Sequence, residues 1–168
     1  MGCPNYYEIL YFGIGIGEAG FEAGHFRFFV EKSESGIHLV RSELDGSKKK
    51  TIHSIPLEWE MAVNCSNNRI YYNKFIGGAQ HIIGYLDFDG NDTILAVITK
   101  DDVKVESDSL TSDWPFLEGV LVAGDWVFIY GGFDRYGYGY RCPVRINTAT
   151  KQVILPGSSG VDTMATRD

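Results

Sequence analysis

Apolar residues in this chain alternate with polar ones or stand in short blocks, and a Gly, a Pro or an Asp-Gly pair interrupts every longer window. Short runs of this kind, dominated by β-branched and aromatic residues, predict strands rather than the 3.6-residue period of a helix. Between Asn68 and Ile98 three such runs follow one another: Ile70–Lys74, His81–Phe88 and Thr93–Ile98. Gly77-Gly78 separates the first two, and Asp89-Gly90-Asn91-Asp92 separates the last two. Asp, Asn and Gly tolerate positive φ, so these spacers predict tight hairpin turns.

The unit recurs. A shift of about 44 residues, within the range of propeller blades, puts Phe26–Val30 beneath Ile70–Lys74 and Leu44-Asp45-Gly46-Ser47 beneath Phe88-Asp89-Gly90-Asn91, with no gap between. The first unit then has strands at 6–12 (YYEILYF), His25–Glu31, Ile37–Leu44 and Thr51–Ile55, and Pro56 ends it. The second opens near Trp59–Ser66 and turns at Asn67-Asn68. A polar, acidic connection leads to the third: Val120–Ala123, a Gly124-Asp125 turn, Trp126–Tyr130, a Gly- and Tyr-rich loop, Tyr140–Ile146 and Lys151–Leu155. Trp126–Tyr130 and Ile94–Ile98 are apolar on both faces, so their sheets must be covered on both sides. The pattern predicts an all-β fold of three four-stranded antiparallel propeller blades, half of a six-bladed β-propeller. The blades cover about 6–56, 57–98 and 99–155, and 156–168 is a flexible tail. A barrel or a sandwich would not explain turns that recur in register.

Asn68-Arg69-Ile70-Tyr71-Tyr72, followed by the strand ending Leu86-Asp87-Phe88-Asp89-Gly90, resembles the YWTD-type repeats of low-density-lipoprotein-receptor propellers, and more closely their bacterial relatives of unknown function. Leu44-Asp45-Gly46-Ser47 fits the Leu/Phe-Asp-Gly-Ser turn of that family, Phe88-Asp89-Gly90-Asn91 nearly does, and Ile146-Asn147-Thr148 fits poorly. The resemblance is clear over about 24–98 and weak over 120–155. It implies a role in recognising a protein or other ligand rather than in catalysis. None of the three units carries a Trp-Thr-Asp after its first aromatic position: they read Phe26-Arg27-Phe28-Phe29, Tyr71-Tyr72-Asn73 and Trp126-Val127-Phe128. Contacts the family makes through that acidic position are therefore not implied.

A chain of 168 residues suits one domain with a proper core. Its net charge of −7 argues against nucleic acid and anionic membrane surfaces as partners. The one basic run, Lys48-Lys49-Lys50, follows a turn and reads as a solvated hairpin tip. Cys3, Cys65 and Cys142 form no paired spacing, which points to buried free thiols, with one disulfide as the alternative. No window is long and apolar enough for a membrane span, and no signal peptide is visible, which fits a cytoplasmic protein or an excised piece of an exported one. The sequons at Asn64 and Asn91 matter only in a eukaryotic secretory setting.

The candidate chemistry is sparse. Gly15-Ile16-Gly17-Glu18-Ala19-Gly20 matches G-x-G-x-x-G, but the segment after it alternates and is broken by Gly24, where a dinucleotide site needs a helix. No cofactor is expected. Asp87-Phe88-Asp89-Gly90-Asn91-Asp92 offers hard oxygens but lacks the spacing of a calcium loop, so no metal is assigned. His25, His38, His53 and His81 are scattered without ligand or base spacing, and no catalytic residue is assigned. Successive turns of an antiparallel meander lie at opposite ends. This brings the loop of the third unit (Phe133, Asp134, Arg135, Tyr136, Tyr138, Tyr140) to one face with the connection carrying Asp101, Asp102 and Trp114. Tyrosines on Gly-flexed loops suit recognition of a protein, peptide or glycan. The expectation is a non-enzymatic recognition or scaffolding module. The alternative is a hydrolase-type propeller enzyme with carboxylates in the central channel.

Three blades leave two terminal faces, both expected to be rich in Val, Ile, Phe and Tyr. Such faces favour a homodimer that completes the ring, with 6–12 pairing to a partner strand; a fragment of a longer propeller is the other option.

Overall fold

The computed structural model describes residues 10–12, 20–57, 60–76, 80–99, 102, 119–132, 140–155 and 163–165. Among them are fourteen strands and no helix, hence no helix long and apolar enough to cross a membrane. β1 (Leu10–Phe12) precedes three antiparallel meanders. Sheet I is β2 (Gly20–Ala23), β3 (Phe26–Ser33), β4 (Gly36–Glu43) and β5 (Lys50–Ile55). Sheet II is β6 (Glu60–Ser66), β7 (Arg69–Phe75), β8 (Gln80–Asp87) and β9 (Asp92–Thr99). Sheet III is β10 (Gly119–Ala123), β11 (Trp126–Gly132), β12 (Tyr140–Asn147) and β13 (Val153–Leu155), extended by β14 (Thr163–Ala165). Where the sequence reads a tail beyond 155, β14 pairs with β13 (Ile154 with Met164).

Two strands depart from the sequence reading. The first strand of sheet I is Gly20–Ala23, inside the glycine-rich run, because Gly24 adopts a φ of +64° and closes a two-residue turn onto Phe26. Leu10–Phe12, the described part of the 6–12 segment, joins sheet II, where Leu10 pairs with Val63.

Sheet II lies between the other two. Val63, Ile70, Tyr72 and Leu86 pack with Phe21, Phe28, Leu39, Ile52 and Ile55 of sheet I. Tyr71, Ile83 and Ile98, from the opposite face, pack with Val120, Val127, Ile129, Val144 and Ile146 of sheet III. The alternation along β7 sends Ile70 and Tyr72 one way and Tyr71 the other, the period-2 geometry of a strand. Each fully buried large side chain here contributes about 1.5–3 kcal/mol, so the two interfaces outweigh the surface ion pairs, at roughly 0–1 kcal/mol each.

The strand pairs place the three sheets in common register. Counting outward from the Gly24-His25, Asn67-Asn68 and Gly124-Asp125 turns, the third pair is Phe21–Phe28 in sheet I, Asn64–Tyr71 in sheet II and Leu121–Phe128 in sheet III. Phe28 pairs onward with Arg41, Tyr71 with Tyr85 and Phe128 with Arg145. The counterpart of Phe28 is thus Tyr71, not Tyr72 as the gap-free alignment has it. The β7–β8 loop closes from Ile76 to Gln80, one residue longer than the Glu34-Ser35 turn between β3 and β4. A slip of one residue exchanges the faces.

The Asp-Gly turns do repeat in geometry. Glu43 N–H donates to Ser47 O and Gly46 N–H to Glu43 O; Asp87 N–H donates to Asn91 O and Gly90 N–H to Asp87 O. The turn of sheet II is also fastened to sheet I. Arg41 Nη1 donates to the Phe88 carbonyl (2.7 Å) and to Asp89 Oδ1 (2.8 Å), and Lys50 Nζ donates to the Asp89 carbonyl (2.9 Å). Above them the Arg41 guanidinium lies 4.3 Å from the Phe26 ring centroid, and Phe88 packs against Phe26 and Phe28. Gly90, at φ +92°, brings the turn so close that a Cβ would sit 2.4 Å from Ile52 O, whereas Gly46, at φ +82°, has open space beside it.

Gly90→Ala should therefore cost about 2–4 kcal/mol, since backbone strain adds to a backbone clash, and Gly46→Ala only about 1 kcal/mol from strain alone. Urea titration of both variants measures the difference; equal losses would mean the turn is not docked.

Candidate functional site

Antiparallel order puts the β3–β4, β7–β8 and β11–β12 loops at one end of their sheets, with the connections that enter the next sheet. In sheet III, Gly119 pairs with Tyr130 and Gly132 with Tyr140, so the ends flanking loop 133–139 adjoin the arrival point of the connection from β9. Of the residues singled out in the sequence, Phe133, Asp134, Arg135, Tyr136, Tyr138, Asp101 and Trp114 lie outside the described residues. Tyr140 opens β12. Asp102 closes the end of β9: its Oδ2 accepts from Thr99 N–H (2.8 Å) and Thr99 Oγ1 (2.7 Å).

The described residues near this end carry polar groups that the sequence did not single out as a set. On the outer side of sheet I, His38 Nε2 meets Ser33 Oγ at 2.8 Å and His38 Nδ1 meets Ser54 Oγ at 2.8 Å. Between sheets I and II, His53 stacks on Tyr72 with centroids 5.9 Å apart, and Lys74 Nζ stands 3.5 Å from His53 Nε2 and 5.1 Å from the Tyr72 centroid. An ammonium donor at Nε2 leaves His53 neutral, with its proton on Nδ1. Burial first, and the Lys74 charge second, hold the His53 pKa below the ordinary imidazole value. Burial also lowers that of Lys74, against the opposing pull of Asp92.

Tyr72 extends across Gly84 on the neighbouring strand and donates its hydroxyl to Asp92 Oδ1 at 2.7 Å. A Cβ at Gly84 would lie 2.6 Å from that hydroxyl and 2.5 Å from Thr93 O, so glycine alone leaves the path open. Burial and the carboxylate partner push the Tyr72 pKa far above that of a free phenol, which keeps it protonated and makes it a donor, not a base. Deeper in sheet II, His81 Nδ1 donates to Asn73 Oδ1 (3.0 Å), and burial pushes the His81 pKa down to about 4. Every buried side-chain N or O among the described residues has a hydrogen-bond partner. The seam is satisfied internally and aligns two sheets.

The remaining motifs find local uses. Gly20 opens a strand rather than a helix, which removes the context a dinucleotide would need. Asp87 Oδ1 accepts from the backbone N–H of Asp89 and Asn91 (2.9 Å each) and Oδ2 from Asn91 Nδ2 (2.6 Å), while Asp89 receives Arg41. Asn64 is buried, which closes its sequon. Cys65 is disulfide-bonded, correcting the expectation of free thiols throughout; three cysteines allow one bridge. Comparison with protein-family models, with curated proteins and with solved structures found no match.

His81 sets a pH dependence. Its folded pKa lies below the unfolded value of about 6.5, so the unfolded chain binds the extra proton between them. Stability is therefore full above pH 6.5 and falls as pH drops towards about 4, by on the order of 3 kcal/mol for this group, with His53 acting in the same direction. His81→Asn keeps a donor for Asn73 and cannot titrate, so urea midpoints across this range should fall less steeply than in the parent chain. Identical slopes would contradict the assignment.

Proposed function

We propose that the three sheets are successive blades of a β-propeller and that the chain is a non-enzymatic recognition module. Its ligand is a protein, peptide or glycan held at the end of the stack where loop 133–139 and the β9–β10 connection open. One observation carries the reading. The two longest interruptions of the repeat leave sheet III at the same end, beside each other in register, at Gly119, Gly132 and Tyr140. Long connections on a stacked scaffold are favoured places for binding. Composition supports the ligand class: Phe133, Tyr136, Tyr138 and Tyr140 would supply aromatic contact area, and Asp134, Arg135 and Asp101 polar contacts. The interior histidines and Tyr72 act as neutral, satisfied donors and acceptors, in keeping with a role that is not catalytic.

Peptide and glycan arrays probed with the parent chain and with a Tyr136→Ala/Tyr138→Ala variant test this. Binding should weaken at least about tenfold, the scale of losing one aromatic hot spot, with an unchanged urea midpoint. Turnover in a substrate library that a single Asp→Asn change abolishes would overturn the reading in favour of a channel hydrolase.

A further inference from the structure

The chain holds two Asp-Gly pairs, Asp45-Gly46 and Asp89-Gly90, in equivalent turns of sheets I and II. In such a pair glycine has no side chain to shield its amide nitrogen from the carboxyl of the preceding residue. The backbone bonds of the two turns match: Gly46 N–H donates to Glu43 O at 2.9 Å and Gly90 N–H to Asp87 O at 3.1 Å. The carboxylates are used differently.

Asp45 Oδ1 accepts from the N–H of Ser47, two residues on, at 2.8 Å. This bond closes a ring that contains the Gly46 nitrogen and folds the carboxyl over that peptide, as in an Asx turn. Nothing stands within 4 Å of the place a Cβ on Gly46 would take, and residues 45–47 are exposed. At the second pair the matching N–H, that of Asn91, goes to Asp87 Oδ1 at 2.9 Å. Asp89 Oδ1 is drawn to Arg41 of sheet I at 2.8 Å, and the Asp89 carbonyl accepts from Lys50 at 2.9 Å. Behind Gly90 lies the Ile52 carbonyl, which leaves that peptide no room to turn. Exposure does not separate the two pairs, since the Asp89 side chain is itself 70% exposed. Attachment to a neighbouring sheet does.

We propose that Asp45-Gly46 is a site of spontaneous isoaspartate formation in the folded protein, and that docking of sheet II on sheet I protects Asp89-Gly90 from the same reaction. The Gly46 nitrogen forms a bond to Asp45 Cγ. The amide proton, a solvent proton and one carboxylate oxygen leave as water, and a five-membered succinimide remains. Water then adds back to either ring carbonyl and a proton returns to solvent. Addition at the former main-chain carbonyl leaves the chain running through the side-chain carbonyl, with one more methylene in the backbone and a free α-carboxylate. No oxidant or cofactor enters, and the mass is unchanged. The product is a substrate for an enzyme that methylates isoaspartyl carboxylates. The turn between β4 and β5 is separate from loop 133–139, so this inference is independent of the recognition reading.

The full chain is aged in warm neutral buffer, then digested with trypsin and labelled with an isoaspartyl methyltransferase and its methyl donor. Trypsin separates the two pairs, into peptides 42–48 and 75–100, and fragmentation mass spectrometry assigns each label to a residue. Label should enter at Asp45 at least about tenfold faster than at Asp89, the rate ratio that a modest difference in barrier gives. Ageing in urea should bring the two rates together, because the dipeptide is the same and the docking is gone. Arg41→Ala, checked for folding by far-UV circular dichroism, should raise labelling at Asp89 and leave Asp45 unchanged; the urea comparison on the parent chain stands even if this variant does not fold. Equal labelling in the folded chain, or labelling at Asp89 first, would overturn the proposal. So would a tenfold ratio that persists in urea, or an unlabelled Asp45 in folded chain aged for as long as it takes the unfolded chain to label.

Discussion

A sheet with two apolar faces cannot stand alone in water, and sheet II is such a sheet. Ile70, Tyr72 and Leu86 on one side and Tyr71, Ile83 and Ile98 on the other are all buried. Removing either neighbour would expose a whole face, at a cost set by the apolar area returned to water. The other two sheets are arranged by this need. Each turns an apolar face inwards, and the order I, II, III follows from the alternation along β7 and β8.

Hydrophobic burial alone is not directional, and two polar devices fix how sheet I sits on sheet II. At one end Arg41 and Lys50 grip the Phe88-Asp89 backbone, with Gly90 permitting contact between backbones. Further along, Tyr72 reaches through the gap left by Gly84 to Asp92, with His53 and Lys74 beside it. Both devices depend on a glycine that no larger residue could replace without displacing backbone or hydroxyl. Groups bonded in this way tolerate little sliding, since a shift would strand a buried donor.

The repeat was legible because turn chemistry is local. Asp-Gly and Asn-Asn positions need positive φ, and Gly46, Gly90, Asn67 and Asn68 adopt it. Face assignment was not legible to the same degree. One added residue in the β7–β8 loop moves the partner of Phe28 from Tyr72 to Tyr71, and only the pairing of β7 with β8 reveals it. The strand at Gly20–Ala23 was hidden for a related reason, since glycines that read as a turn can also pair across a close-packed sheet. The Tyr72, His53, Lys74 and Asp92 seam draws on three strands from two sheets, so no spacing in the chain announces it. Of the loop residues proposed for binding, Asp102 alone has a described side-chain environment, and its carboxylate serves the end of β9.

Native-state hydrogen exchange tests the stacking most directly, because it reports which strands open only with the whole molecule. The amides of β7 and β8, paired on both sides within a doubly covered sheet, should exchange slowest and at the free energy of global unfolding. Fast exchange there, with protection confined to sheet I or sheet III, would contradict the placement of sheet II at the centre.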